Sequence, residues 1–318
     1  MRTLFTLICL ISPLIAQNPW NTVSINVPGA IETEVRGVNN HGEIVGFYRP
    51  STSTCLQVPA NPQVPTCTTR GFKIVNGTLT KLNVPGANST AIMGVNDHGD
   101  LVGFYLKPEP GCTFGIYHGF IWYHQNVVKT IDFPNSTGFC GSDALWTVPM
   151  GINKRGSVSG TVWSPVNGQP SGGFIWKNGT FHVMNPGGPN SGVYGMSNRG
   201  ILVGTTFYTL DLIPLWTGFL KAGVDVDFFQ LTQDDTFTTA VNNRTDVAGY
   251  GIYGNGFFAK HIEWGEGSND ATEVSPSFIH LMAGQATFPF AMNEQRVVVG
   301  AYYNSDGIKH GFVASPKF

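Results

Sequence analysis

Two short signatures alternate six times along this chain of 318 residues. The first is typified by GVNNHGEIVGFY from Gly37 and GVNDHGDLVGFY from Gly94, and the second is a Gly-Phe pair. Copies of the first signature are 57, 57, 44, 45 and 51 residues apart, beginning at Gly37, Gly94, Gly151, Gly195, Ala240 and Ala291. Periods of this length are typical of repeat architectures, so the repeat constrains the fold more than any other feature.

Each repeat contains four short runs with the composition of β-strands. In the unit that begins at Ala91 the runs are AIMGVN, DLVGFY, HGFIWY and NVVKTIDF, which we name strands A, B, C and D. Asn-x-x-Gly joins A and B in several copies, and Asn-Gly, as at Asn76–Gly77, often joins C and D. Both favour tight hairpin turns. Four strands per repeat are typical of a β-propeller blade, and six copies predict six blades.

The two ends of the chain complement each other. The chain finishes at GFVAS from Gly311, a strand C with no strand D after it. Residues 22–29, TVSINVPG, resemble a strand D that nothing precedes. We therefore predict an all-β, six-bladed β-propeller over residues 17–318, with four antiparallel strands per blade and strand 22–28 completing the last blade. Such closure removes the two open sheet edges at the ends of the repeat array. The alternatives are a solenoid, which would need polar caps at these edges, and a sandwich.

The repeat also resembles a known family. The pattern G-[IVM]-N-x-x-G-x-[IV]-x-G-x-[YF], followed by H-G-F-[IV]-W, is similar to that of the HAF-repeat family of bacterial extracellular proteins. The triplet stands here as His118-Gly119-Phe120 and His310-Gly311-Phe312, and other residues replace the His elsewhere. The resemblance implies export and a propeller-like fold. It brings no active-site motif that can be transferred.

Residues 1–16, MRTLFTLICLISPLIA, have the pattern of a secretory signal peptide. Arg2 precedes an apolar run from Leu4 to Ile15, and Ala16 suits cleavage. The run is shorter than the ~20 residues of a transmembrane helix, and no other segment qualifies. A buried N-terminal strand is the alternative interpretation. We expect a secreted or extracytoplasmic protein, in the periplasm or at the cell surface.

Four cysteines follow the predicted signal peptide: Cys55, Cys67, Cys112 and Cys140. An even number in an exported chain favours two disulfides, and four cysteines allow three pairings. Cys55 and Cys67 bracket one Pro-rich loop, which favours the pairing 55–67 with 112–140. A zinc site is the other interpretation, but no C-x-x-C pair supports it.

The strand order assigns the connections to two faces. The tight A–B and C–D turns share one face, and the longer B–C and D–A loops, with all four cysteines, share the other, which we name the loop face. Irregular loops on a rigid scaffold often carry function. The candidate residues of this face are Glu32, Glu34, Arg36, His118, Asp143, Trp146, Tyr194, Asp234, Asp235 and His310. Solvated loop acids, and structural hydrogen bonds for the two histidines, are the competing interpretation.

Composition and missing motifs limit the function. A net charge of −2, from 18 basic and 20 acidic residues, argues against a nucleic-acid partner. G-x-S-x-G and H-E-x-x-H do not occur. We predict a monomeric binding or surface-interaction module for an extracellular glycan, peptide or small molecule. The alternative is a hydrolase or lyase in an axial funnel on the loop face, where carboxylates would hold a divalent cation such as Ca²⁺. No other cofactor is expected, and a purely structural role is the third hypothesis.

Overall fold

The computed structural model describes eleven segments of the chain: 19–55, 67–107, 116–124, 126–134, 145–164, 169–210, 213–230, 235–262, 272–273, 277–278 and 285–317. Every regular element in these segments is a β-strand. No helix that is long and apolar enough to cross a membrane occurs in them.

The strands form six sheets in chain order, apart from β1 (Trp20–Ile25), which belongs to the last sheet, and one two-residue strand described below. Blade 1 contains β2 (Ala30–Val38), β3 (Ile44–Pro50), β4 (Arg70–Val75) and β5 (Thr78–Leu82). Blade 2 contains β6 (Ser89–Val95), β7 (Leu101–Lys107), β8 (Ile116–Trp122) and β9 (Val128–Ile131). Blade 3 contains β10 (Trp146–Ile152), β11 (Val158–Ser164), β12 (Gln169–Lys177) and β13 (Thr180–Met184).

The later blades follow the same plan. Blade 4 contains β14 (Ser191–Met196), β15 (Leu202–Leu210), β16 (Ile213–Ala222) and β17 (Asp225–Gln230). Blade 5 contains β18 (Thr236–Val241), β19 (Val247–Gly251), β20 (Gly256–Ala259) and the short β22 (Ser277–Phe278). Blade 6 contains β23 (Thr287–Met292), β24 (Val298–Tyr303), β25 (Lys309–Pro316) and β1. The six-bladed propeller predicted from the repeat is confirmed.

One blade departs from four antiparallel strands. The chain between β20 and β22 forms β21 (Thr272–Glu273), which pairs in parallel with β17 and adds a fifth strand to blade 4. The outer strand of a blade exposes unpaired backbone groups, and β21 covers part of that edge.

The predicted closure of the ring is confirmed. Strand β1 pairs antiparallel with β25 over six residues, from Trp20 opposite Pro316 to Ile25 opposite Gly311. The Trp20 side chain is buried, with its ring 5.1 Å from that of Phe258 in blade 5. The N-terminal strand thus supplies strand D of blade 6 and joins the two ends of the propeller.

The Phe of each Gly-Phe pair is fully buried, as expected for side chains that pack between blades: Phe72, Phe120, Phe174, Phe219, Phe257 and Phe312. The small residues of strand A have an equally direct cause. A Cβ added to Gly37 would lie 3.0 Å from the Cα of Gly94, and one added to Gly94 would lie 3.3 Å from the Cα of Gly151. In blades 1 and 2 the neighbouring A strand approaches the glycine so closely at the axis that a side chain would require a shift.

The Asn of the A–B turn recurs because its side chain has two structural roles. The Oδ1 atom of Asn39 accepts the backbone N–H groups two and four residues later, at 3.0 and 2.9 Å. Its Nδ2 donates to the backbone carbonyl of Asn96 in blade 2 at 2.9 Å. Asn293 of blade 6 donates in the same way to the carbonyl of Asn39 at 3.0 Å. One side chain therefore fixes its own turn and ties its blade to the next.

The disulfide predicted between Cys55 and Cys67 is present. It closes the connection from β3 to β4 on the loop face. Cys112 and Cys140 lie outside the described residues, so their predicted pairing stays a prediction.

Candidate functional site

A β-bulge interrupts strand A at the same place in all six blades. In blade 1 the register with β3 shifts between Val35 and Gly37, which leaves Arg36 as the extra residue. A bulge redirects the side chain of the inserted residue. The six bulged residues are buried and line one cavity, and we name them the axial ring: Arg36, Met93, Met150, Tyr194, Thr239 and Phe290.

The axial ring brings together two of the predicted site residues, Arg36 and Tyr194. The Arg36 guanidinium carbon lies 3.6 Å from the ring centre of Phe290, which is the position of a cation–π contact. Burial raises the pKa of the Tyr194 hydroxyl well above its usual value, and the neighbouring Tyr250 raises it further. Tyr194 is therefore neutral at ordinary pH, and Arg36 is the one charged member of the ring.

The negative charge of Glu34 compensates the positive charge of Arg36. Its carboxylate accepts hydrogen bonds from the Arg36 Nε at 2.9 Å and from the Lys309 Nζ at 2.8 Å. Burial alone would raise the pKa of Glu34, but the two cations outweigh it and lower the pKa below its usual value. Since Lys309 belongs to β25, this cluster joins blade 1 to blade 6 where the ring closes.

The cavity on the axis measures about 80 Å³. A site of this size holds a few water molecules, whereas pockets for drug-sized ligands measure about 300–1,000 Å³. Its walls run from the axial ring to the A–B turns, where Asn40, Asp97, Asn198 and Glu294 line it. The cavity thus reaches the tight-turn face, whereas the sequence led us to expect a funnel on the loop face.

The polar residues at these turns bind one another. Both carboxylate oxygens of Asp97 accept hydrogen bonds from Asn40 at 2.9 Å. Glu294 accepts the backbone N–H of Asn243 at 3.1 Å and donates its own N–H to the Asn40 side chain at 2.9 Å. Burial raises the pKa of Glu294, with a further contribution from the charge of Asp97, and these outweigh the Asn243 hydrogen bond and the nearby Arg244 and Arg199.

A continuous series of aromatic rings crosses blades 4, 5 and 6 at the loop-face ends of their strands. Successive ring centres lie 4.8, 5.7, 5.2, 5.1 and 5.9 Å apart, distances typical of stacked or edge-to-face pairs. We name this series the aromatic band: Phe207, Trp216, Phe237, Tyr250, Phe288 and Tyr303. Tyr250 is buried, and the other five side chains are partly exposed.

Exposed apolar residues border the aromatic band. Ile252 is 51% exposed and Tyr253 is 77% exposed, in the short turn between β19 and β20. The next residue, Gly254, packs on the ring of Phe288, because a Cβ there would lie 2.9 Å from it. Ile308, in the short turn between β24 and β25, is 40% exposed. The short B–C turns of blades 5 and 6 thus leave apolar surface open on the loop face.

The remaining predicted acids and Trp146 have separate surroundings. Glu32 forms a partly exposed ion pair with Arg49 at 3.4 Å. Trp146 is buried, 4.6 Å from the ring of Tyr117, and is a core residue. Asp235 lies beside the aromatic band, where its Oδ1 accepts the backbone N–H of Trp216 at 3.0 Å.

The two repeated histidines make matching contacts. His118 lies 2.9 Å from the carboxylate of Asp132 and stacks on Tyr105. His310 lies 2.5 Å from the side-chain oxygen of Asn26 and packs against Tyr302. In each case strand C contacts strand D and strand B of one blade. This supports the structural interpretation of the two histidines.

Asp143 and Asp234 lie outside the described residues, so the structure does not place them. Within the described segments, no group of three or more His, Cys, Asp and Glu side chains could hold a metal ion.

The aromatic band is not among the sites predicted from the sequence. Its signal there is a group of aromatic residues at the start of strand A, the end of strand B and the start of strand C in blades 4 to 6. The Gly-Phe signature obscures this signal, because its phenylalanines are core residues in every blade.

Comparisons with known proteins identify no family. No protein-family profile and no curated protein matches the chain. Solved structures that match include a triple arginine-to-alanine mutant of AofleA from Arthrobotrys oligospora, with 8% identity and a TM-score of 0.46 over 91% of this chain and 88% of that one. The β-propeller domain of the Trilobed protease from Pyrococcus furiosus matches with 9% identity and a TM-score of 0.44, over 90% and 94%.

Proposed function

We propose that this chain is a secreted binding module that holds an extracellular glycan on its loop face. The aromatic band carries this proposal. Five partly exposed rings, linked through the buried ring of Tyr250, extend across three blades. The secreted location rests on the pattern of residues 1–16 and is supported by the Cys55–Cys67 disulfide.

The chemistry of the band suits a sugar. The C–H faces of a pyranose ring are apolar and pack on flat aromatic rings, while its hydroxyl groups need hydrogen-bond partners at the edge. The Asp235 carboxylate borders Trp216 and is partly exposed. Aromatic side chains with polar neighbours are typical of binding surfaces. An apolar peptide would use the same rings without needing this carboxylate.

The described acid–base candidates favour binding over hydrolysis. Glu34 is buried and paired with two cations, so it is ionised and screened from solvent. Burial keeps the Tyr194 hydroxyl protonated. His118 and His310 make repeated contacts within their blades. Each of these groups is buried or makes a contact within the scaffold, whereas five rings of the aromatic band are partly exposed.

Glycan-array screening with the purified protein, followed by titration of the best ligand, tests the proposal. Trp216→Ala removes the second ring of the band, and Tyr253→Ala removes an exposed ring beside the band with little consequence for folding. We expect each to weaken binding at least tenfold. Val224→Ala, at a 90% exposed position in a C–D turn on the opposite face, is the control and should bind as the parent protein does.

Two results would overturn the proposal. One is the absence of any glycan that binds the parent protein. The other is a glycan whose affinity Trp216→Ala and Tyr253→Ala both leave unchanged while their thermal unfolding shows an intact fold. Capture of apolar peptides in place of sugars would assign the band to peptide binding.

A further inference from the structure

The tight-turn face carries a second surface, at the third residue of each A–B turn. This position is occupied by an exposed side chain in every blade: His41, His98, Arg155, Arg199, Arg244 and Gln295. In blade 3 the preceding residue, Lys154, is also basic and exposed. Blades 3, 4 and 5 therefore present an arc of cations around the mouth of the axial cavity. We name it the basic crescent: Lys154, Arg155, Arg199 and Arg244.

The turns hold the basic crescent rigidly. The backbone N–H of Arg155 donates to the Asn153 side chain of its own turn at 3.0 Å. The turns also bind each other in sequence, because the N–H of Lys154 donates to the Asn198 side chain at 2.8 Å. The N–H of Arg199 donates to the Asn243 side chain, also at 2.8 Å. The backbone positions of three adjacent blades are thus fixed relative to one another before any ligand arrives.

Few of these cations form a direct ion pair, although Arg199 and Arg244 lie close enough to Glu294 for their charges to lower its pKa. Elsewhere on this face Lys73 pairs with Glu43, and Arg296 pairs with Asp246. In the described part of the chain no ion pair involves Lys154, Arg155 or Arg199.

Arg244 is partly engaged. Its Nε lies 3.4 Å from Asp246, and its guanidinium donates to the backbone carbonyl of Glu294. The A–B turns of blades 3 and 4, residues 153–157 and 197–201, contain no acidic residue. Since the whole chain has a net charge of −2, the basic crescent is a local concentration and not a sample of a basic surface.

We propose that the basic crescent binds an acidic polysaccharide, a polymer whose sugar carboxylates contact the arginines of successive blades. Guanidinium groups pair with carboxylates through two parallel hydrogen bonds, and several weak exposed pairs must act together to hold a ligand. A polymer supplies such a series of charges, whereas a single small anion does not.

The surroundings of the basic crescent favour a polysaccharide over a single-stranded nucleic acid. Stacking on aromatic side chains supplies much of the affinity for unpaired bases. Among the described residues, the exposed large apolar side chains at the C–D turns are Val127 and Val224, and neither is aromatic. The partly exposed Tyr123 and the exposed His41 and His98 belong to blades 1 and 2, outside the basic crescent. The aromatic band lies on the opposite face, so this inference is independent of the proposed glycan site there.

The test measures binding of polygalacturonate to the purified protein in 50 and 300 mM NaCl. Arg155→Gln combined with Arg199→Gln removes two charges, and the fold tolerates Gln at this position because blade 6 has Gln295 there. We expect at least a tenfold loss of affinity in the double variant, and a similar loss for the parent protein at the higher salt concentration, because salt screens exposed charges. Arg155→Lys with Arg199→Lys keeps the charges but loses the paired hydrogen bonds, so its affinity should fall between those of the parent protein and the double Gln variant.

Matched controls separate charge from position. Lys107→Gln removes an exposed charge at the end of β7 on the loop face and should leave the affinity unchanged. Neutral dextran should not bind at the basic crescent. Equal affinity of the double Gln variant and the parent protein would overturn the inference. So would failure of polygalacturonate to bind while a DNA duplex or polyglutamate binds. In either case the double variant should keep any ligand of the aromatic band, so the two sites can fail separately.

Discussion

Replacing Glu34 by Gln removes the one negative charge in a buried cluster with two positive charges. The side chains of Glu34 and Arg36 are 7% and 2% exposed, and that of Lys309 is 18% exposed. Gln keeps the volume but leaves the two cations facing each other without compensation. Breaking a buried ion pair in this way costs about 3–5 kcal/mol. At ~2–4 °C per kcal/mol for a domain of this size, the unfolding midpoint should fall by roughly 6–20 °C.

Glu32→Gln is the matched control, because it removes the same charge two residues earlier in the same strand. The Glu32–Arg49 pair is 3.4 Å long, with side chains 30% and 27% exposed. Such a pair contributes about 0–1 kcal/mol, so the midpoint should move by no more than a few degrees. Thermal unfolding followed by circular dichroism, with urea denaturation at 25 °C, measures both variants. Equal shifts for the two variants would refute the argument that burial makes the Glu34 cluster costly to break.

Three further predictions concern acid, the disulfide and ring closure. Burial raises the pKa of each of three carboxyls, but their partners outweigh it and lower each pKa: Glu34, Asp100 and Asp246. Their stabilisation is therefore complete above the unfolded pKa values, about 4, and is lost as the pH falls through the lowered folded values, so the urea midpoint should drop as the pH falls below about 4. Cys55→Ser with Cys67→Ser should lower the free energy of unfolding by up to about 3 kcal/mol in the chain-entropy account, and added reductant should then have no effect through this bond. Trp20→Ala should cost about 3–5 kcal/mol by leaving a cavity at the closure, whereas Val23→Ala, 59% exposed in the same strand, should change the urea midpoint little.

The fold could be predicted because the same strand and turn signals occur six times in the sequence. Alternation, turn residues and the Gly-Phe pair gave the strands, their number and the closure by the N-terminal strand. The fifth strand of blade 4 could not be predicted, because β21 has only two residues and pairs with β17, which is distant from it in the sequence. Strand signals depend on length and alternation, and a two-residue strand offers neither.

The candidate site was harder to predict, because local sequence does not show where a side chain points. Glu34 and Arg36 are two residues apart, and alternation would place both on one face of the sheet. The bulge at Arg36 instead directs that side chain to the axis, where its guanidinium lies against the ring of Phe290. The bulge needs one extra residue and no special composition, so the sequence alone does not reveal it. The same reason explains why the axial ring was not foreseen.

The six blades act as an internal comparison that separates structure from function. A residue that recurs at one position in most blades, such as the turn residue Asn39 or the core residue Phe72, has a structural role that each blade needs. A position that has the same backbone geometry in every blade but a different residue in each does not have such a structural role. The axial ring is such a position, with Arg36 opposed by neutral residues, and the third turn residue is another, with Arg155 in one blade and Gln295 in another. We therefore expect sites specific to this protein at positions where the blades share one backbone geometry but differ in the side chain.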